Sequence, residues 1–361
     1  IIINPRGDLL RQYWFRRERF LDLERELEEL KNLPAETLDG TEIKLRANIE
    51  FPKEVSSVKR HGSHGVGLFR TEFLFMGREG LPSEEEQLHH YCEVAEAFSP
   101  DPVTIRTLDL GGDKFASAIQ LSPELNPLLG SRAIRFCLER PDLFRTQLRA
   151  ILRASRFGRL RIMYPMISSM RELERANEIL DHAKEQLSQE GIEVADDIPV
   201  GVMIEVPSAA ITADQFARRA DFFSIGTNDL IQYTLAVDRT REGVAHLYDP
   251  HHPAVIRLIR FVVDAGHRAG IPVAMCGEMA GDPAFAPLLV ALGLDELSMS
   301  PIAIPEVKRA IRSIRAADLK GVADEAVSLP STEDVQEFVR NLNQRLLGDK
   351  TEAWPRPQVS Q

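Results

Sequence analysis

Six reactive side chains stand at or just beyond the ends of short apolar segments. Arg70 closes VGLFR (66–70) and Arg106 lies within VTIRTLDL (103–110). Glu205 closes VGVMIE, Asn228 and Asp229 follow FFSIG (222–226), and Cys276 ends VAMC just before Gly277 and Glu278. A guanidinium stays charged at any working pH and meets phosphate or carboxylate through paired hydrogen bonds. Inside a strand it is costly without such a ligand or a carboxylate partner. Asp109, three residues beyond Arg106, offers a partner, so a structural role for Arg106 stays open. Glu205 and Asp229 end adjacent strands and could share one hard cation with several waters, as magnesium prefers; an ion-pair role for either is the alternative. No H-x-x-H or C-x-x-C pattern suggests zinc. Cys276 could titrate near neutrality and exchange a proton with a substrate, or could be a small buried hydrophobe. Gly226, Thr227 and Asn228 form a loop whose amides can approach a phosphate and open a helix. No P-loop occurs.

These residues need elements to hold them. Eight short apolar, β-rich segments recur from Lys44 onward: KLRANI (44–49), VGLFR (66–70), VTIRTLDL (103–110), LRIMYP (160–165), VGVMIEV (200–206), FFSIG (222–226), IPVAMC (271–276) and ELSMS (296–300). Helical stretches such as EEEQLHHYCEVAEAF, MRELERANEILDHAKEQL and VIRLIRFVVDAGHRAG separate most of them. Strands that are apolar on both faces and alternate with helices predict a parallel sheet. Eight such units predict a (β/α)8 TIM barrel, whose reactive groups gather at the C-terminal ends of the strands. A doubly wound open sheet is the alternative. Residues 8–31 predict an amphipathic helix, with Leu9, Tyr13, Phe20, Leu23, Leu27 and Leu30 on one face. It either packs on its own domain or serves as a linker or coiled-coil arm. Pro34 and Gly40 end it.

Composition sets the outer limits. The chain has 361 residues with 44 basic and 55 acidic side chains, a formal charge of −11, which argues against a nucleic-acid partner. An apolar content of 43% with 27% charged residues is that of a globular protein with a sizeable core. Three scattered cysteines, Cys92, Cys137 and Cys276, suit a reducing cytoplasmic setting better than a disulfide framework. No run of about 18 apolar residues predicts a membrane span, and IIINPRGDLL does not read as a signal peptide. The missing initiator Met suggests a piece of something longer. None of the nine histidines sits in a Gly-rich context like that of a phosphorylated swivelling histidine.

The strings GVGLFRTEFLFM, TLDLGGDK, NPLLGSRAIRF, FGRLRIMYPMI, FFSIGTNDLIQYTLAVDR and AMCGEMAGD together resemble enzyme I of the phosphoenolpyruvate:sugar phosphotransferase system. The resemblance runs from residue 44 to about 315. It implies a phosphoenolpyruvate-binding barrel that forms a homodimer and requires Mg2+. By the same resemblance Arg70 and Arg106 would hold the phosphoryl group, with Arg132 nearby. Glu205 and Asp229 would be the magnesium ligands, and Asn228 and Arg239 would contact the substrate's phosphate and carboxylate. Cys276 would protonate the enolate carbon to give pyruvate. The family's N-terminal domain, which carries the phosphoacceptor histidine and binds the histidine phosphocarrier protein, has no counterpart in this sequence. Residues 1–40 would then be a linker helix region, 41–345 the barrel and 346–361 a polar tail. HGSHG (61–65) departs from the family, His64 standing where an acidic residue is usual; an exposed His64 should be tolerated. The barrel of a pyruvate phosphate dikinase or phosphoenolpyruvate synthase is the nearest alternative. A regulatory dimerisation module without chemistry is the other.

Overall fold

A computed structural model describes Gly7, Trp14, Arg25 and residues 27–78, 80–110 and 126–348. Eight strands form a closed barrel in sequence order. They are β1 (Lys44–Ile49), β2 (Val66–Phe69), β3 (Val103–Arg106), β4 (Leu160–Tyr164), β5 (Val200–Ile204), β6 (Phe222–Ile225), β7 (Val273–Met275) and β8 (Glu296–Met299). Every neighbouring pair is parallel, and β1 pairing with β8 closes the ring. The open-sheet alternative is thereby excluded. All eight predicted segments contain their strand.

The helices that matter for the site are α1 (Glu84–Phe98), α2 (Pro141–Ala154), α3 (Met170–Gln189), α4 (Thr227–Leu235), α5 (Pro253–Ala269), α6 (Ile304–Arg312) and α7 (Thr332–Leu347). α1 and α3 begin at capping boxes, Ser83 with Glu86 and Ser169 with Glu172, each serine side chain accepting from the glutamate's amide. α2 turns Leu143, Phe144, Leu148 and Ile151 onto the barrel wall. It also buries Gln147, whose side-chain amide donates to Thr71 Oγ1 at 3.1 Å and Tyr91 OH at 3.2 Å and whose oxygen accepts from the Leu108 amide at 2.9 Å.

Two expectations are corrected. β3 stops at Arg106 rather than running to Leu110, because side chains replace the ladder: Gln147 takes the Leu108 amide and Glu72 takes that of Asp109. The strands are also not apolar on both faces. Arg46 and Glu296 pair inside the barrel at 2.6 Å, with Arg161 at 3.5 Å from the same carboxylate. Buried charges persist only when paired. The opening helix lies mostly outside the described residues; Gly7, Trp14, Arg25 and 27–30 are helical. Residues 349–361 and the GGDK of TLDLGGDK also fall outside them. His64 is exposed, 3.9 Å from Asp101. Among the described residues no helix is long and apolar enough to cross a membrane.

Candidate functional site

The C-terminal ends of the strands surround a cleft of about 780 Å³. Arg70, Arg106, Arg132, Glu205, Asn228, Asp229, Arg239 and Cys276 all line it. Residues drawn from β2, β3, β5, β6 and β7 and from the loops beyond them thus converge, as a parallel barrel requires.

Each guanidinium has a carboxylate partner that sequence spacing did not reveal, Asp109 excepted. Arg106 meets Asp109 and Glu72, each at 2.9 Å, and is almost wholly buried. Arg132 grips Asp109 through both oxygens at 2.8 and 3.0 Å and also reaches Asp229 at 3.4 Å and Tyr233 OH at 3.2 Å. Asp109 is therefore a hub between two arginines, which hold its carboxyl below the usual carboxylate range despite burial. Arg70 pairs with Glu50 at the mouth. Arg239 and Asn228 both donate to Glu278 Oε1, at 3.0 and 3.2 Å, and the Glu278 amide returns a bond to Asn228 Oδ1 at 2.9 Å. The signal for Glu72 lay only in the fold: a single turn after β2 carries it back over Arg106.

Among the described residues, four arginines and five carboxylates (Glu50, Glu72, Asp109, Glu205, Asp229) line the cleft, so their charges largely offset one another. Glu205 accepts from the Met166 amide at 2.6 Å and is 1% exposed. Burial first, then the charges of Asp229 and Asp109, push its carboxyl well above the usual range, with Arg106 and Arg132 opposing. Two glycines permit this crowding. A Cβ on Gly226 would stand 2.7 Å from Glu205 Oε2, and one on Gly277 would stand 1.8 Å from Thr227 Oγ1. The loop after β7 can therefore press against the start of α4, bringing Cys276 beside Asn228. Among the described residues no group of three or more His, Cys, Asp or Glu is placed to hold a metal. Glu205 and Asp229 form a two-carboxylate set, compatible with a magnesium ion that keeps most of its waters and takes substrate oxygens.

Cys276 is 5% exposed. Its amide donates to Ile225 O at 3.1 Å, and its carbonyl accepts from Asn48 Nδ2 at 2.9 Å. Burial pushes the thiol up to about 11, and the Ser224 hydroxyl and the Arg106 and Arg70 charges pull against it. The group is an acid at neutral pH and not a thiolate. Cys92 and Cys137 stand apart from the cleft.

Comparison with known proteins gives the family. Three relatives carry the name phosphoenolpyruvate-protein phosphotransferase. They come from Staphylococcus carnosus (48% identical over 339 residues), Geobacillus stearothermophilus (50% over 340) and Priestia megaterium (49% over 341). In each case 94% of this chain is covered, but only 59–60% of the relative. A citrate lyase structure from Burkholderia xenovorans covers 75% of this chain and 81% of its own at 16% identity, with a TM-score of 0.41, a likeness too weak to carry an argument. The family described as PEP-utilising enzyme, PEP-binding domain, matches residues 24–316, and with the closed barrel and its cleft this makes the chain a member of that family.

Proposed function

We propose that the chain is the phosphoenolpyruvate-binding and dimerising part of a phosphoenolpyruvate-protein phosphotransferase. In this reading 41–345 is the barrel, 1–40 the linker and 346–361 the tail. It passes the phosphoryl group to a histidine on an N-terminal domain, and from there to the histidine phosphocarrier protein, in the cytoplasm. The observation that carries the reading is the meeting, in one cleft, of four guanidiniums, the carboxylates of Glu205 and Asp229, and the Cys276 thiol.

The roles are those the family resemblance implies, and the chemistry of each group suits its own. Arg70 and Arg106 bind the phosphoryl oxygens, with Arg132 oriented beside them by Asp109. Arg239 and Asn228 exchange Glu278 for the substrate's phosphate and carboxylate. Glu205 and Asp229 hold Mg2+, which when bound neutralises phosphate and enolate oxygens. The four guanidiniums are offset by the carboxylates around them, so the bare cleft offers an anionic substrate little net positive charge, which supports a cation requirement. In the reaction the bond between phosphorus and the enol oxygen breaks and one between phosphorus and the histidine nitrogen forms. The resulting enolate takes a proton at its methylene carbon from Cys276 Sγ, and the thiolate left behind recovers a proton from water. Positioned charges do most of this work.

Titration calorimetry tests the substrate assignment. The chain should bind phosphoenolpyruvate with Mg2+ and lose that binding when the metal is chelated; no metal-dependent binding would refute it. A separate phosphoacceptor domain added in trans should become phosphorylated. If binding persists without transfer, the chain is a regulatory module.

A further inference from the structure

We infer that Leu68 and Met203 select the substrate by its third carbon, admitting a bare methylene and refusing a methyl-substituted one. This inference rests on the reading just proposed and deepens it. Five buried side chains, Leu68, Met163, Met203, Phe222 and Cys276, form an apolar cluster separate from the main core. Three of them, Leu68, Met203 and Cys276, face the cleft, while Met163 and Phe222 do not line it. Other apolar side chains line the cleft as well, but Phe51 and Met76 are exposed at the rim, and none belongs to the cluster that holds the thiol.

Phosphoenolpyruvate has one apolar atom, its methylene carbon, and that atom must accept the proton. Its phosphate and carboxylate are drawn to the guanidiniums. Among the described apolar residues of the cleft, those beside Cys276 alone offer both a dry contact and the proton. Leu68 and Met203 are 2% and 1% exposed and are fixed by β2 and β5. Met203 has little freedom, since its sulfur lies 4.0 Å from Arg106 Nη1, on a guanidinium itself tied to Asp109 and Glu72. A methyl group on the third carbon would have to displace one of these two side chains, and close-packed interiors resist added volume. The same walls keep water from the carbon, leaving the thiol as its proton source.

The test uses the intact chain with Mg2+, titrated calorimetrically with phosphoenolpyruvate and with its 3-methyl homologue, the enol phosphate of 2-oxobutanoate. Wild type should prefer phosphoenolpyruvate by about ten-fold or more, the discrimination one methylene commands in an apolar pocket. Met203→Ala should narrow that ratio by about ten-fold. Leu68→Val, a milder change for a chain that must still fold, should narrow it less. Met163→Ala removes bulk from the same cluster without facing the cleft, and should leave the ratio at its wild-type value. An unchanged ratio in Met203→Ala and Leu68→Val, with phosphoenolpyruvate still bound, would overturn the selection while leaving the substrate assignment intact. An equal narrowing in Met163→Ala would overturn it too, showing general loosening. Failure of wild type to bind either compound would overturn both readings.

Discussion

Cys276 combines two properties that a proton donor to carbon needs: it keeps its proton at neutral pH, and it stands beside the place where an apolar carbon would rest. Burial among Leu68, Met163, Met203 and Phe222 accounts for the first, raising the thiol to about 11. Alkylation of Cys276 by iodoacetamide should accordingly be slow at pH 7 and accelerate as the pH approaches 11, followed by mass spectrometry of its peptide. Cys276→Ala should slow pyruvate formation by about 10²–10⁴-fold and change phosphoenolpyruvate affinity much less; equal losses in both would count against the assignment. Burial acts on Glu205 in the same direction. Its carboxyl is raised by burial and by Asp229 and Asp109, so the ionised form is held at a cost to the fold. The folded carboxyl retains its proton to higher pH than the unfolded one. Stability from this group is therefore full below the ordinary glutamate range and is lost as pH rises from there through the raised value of the folded carboxyl. Glu205→Gln keeps the shape and removes the repulsion. Without Mg2+ the variant should be more stable than wild type near neutrality, by on the order of 1 kcal/mol in urea unfolding, and Mg2+ should no longer stabilise it.

Gln147 on α2 shows how an element behind the barrel holds a site it never touches. Its side chain links Thr71, the residue after Arg70, with Leu108, between Arg106 and Asp109, and with Tyr91 of α1. Thr71 Oγ1 in turn donates to the Arg106 carbonyl at 3.1 Å. Gln147→Leu preserves volume but strands the Leu108 amide in the interior, while the Thr71 and Tyr91 hydroxyls keep their bonds to the Arg106 carbonyl and to Gln87, a loss of about 2 kcal/mol in urea unfolding. It should also weaken phosphoenolpyruvate binding, as the loops carrying Arg70 and Arg106 loosen. Ser83→Ala, which removes the cap of α1, should cost about 1 kcal/mol and leave binding unchanged. The contrast separates a network that supports the site from one that supports only the fold. Helix α1 was readable because its cap and apolar spacing are local, and the eight strands because apolar runs bounded by turns are local too. The meeting of Arg70, Arg106, Glu205, Asp229 and Cys276 followed from one global rule about barrels. The carboxylate partners did not follow. Glu72, Glu50 and Glu278 are ordinary surface-type residues in sequence and acquire meaning only when separate loops close on one another. Interior charges such as Arg46 and Glu296, 250 positions apart, are hidden for the same reason.

The barrel is also tied to the segment that enters it. Lys308 on α6 is 2% exposed, and its ammonium donates to two carbonyls, Lys31 O at 2.8 Å and Gly62 O at 3.3 Å. Arg312, one turn further along α6, donates to Pro34 O at 2.8 Å, and Asp39 accepts the amides of Ala316 and Ala317. The chain just after residues 27–30 is thus fastened to α6 by that helix's side chains and to the turn after α6 by its backbone amides. Gly62 belongs to the same joint, for a Cβ there would strike the Lys31 carbonyl at 2.2 Å. Burial, with a smaller contribution from Arg312, lowers the Lys308 ammonium to about 8. Below pH 8 the lysine is charged in folded and unfolded chains alike, so it adds no slope. Between about 8 and the ordinary lysine value of 10.5 the folded chain has released its proton and the unfolded chain has not. Unfolding then takes up a proton, and stability from this group rises with pH, by up to about 1.4 kcal/mol per pH unit. Lys308→Met keeps the aliphatic stem and removes the titration. Subtracting its urea-unfolding free energies from those of wild type should give a difference that is flat below pH 8 and climbs above it. A flat difference throughout that range would mean that the two carbonyls hold Lys308 charged, and that the joint is insensitive to pH.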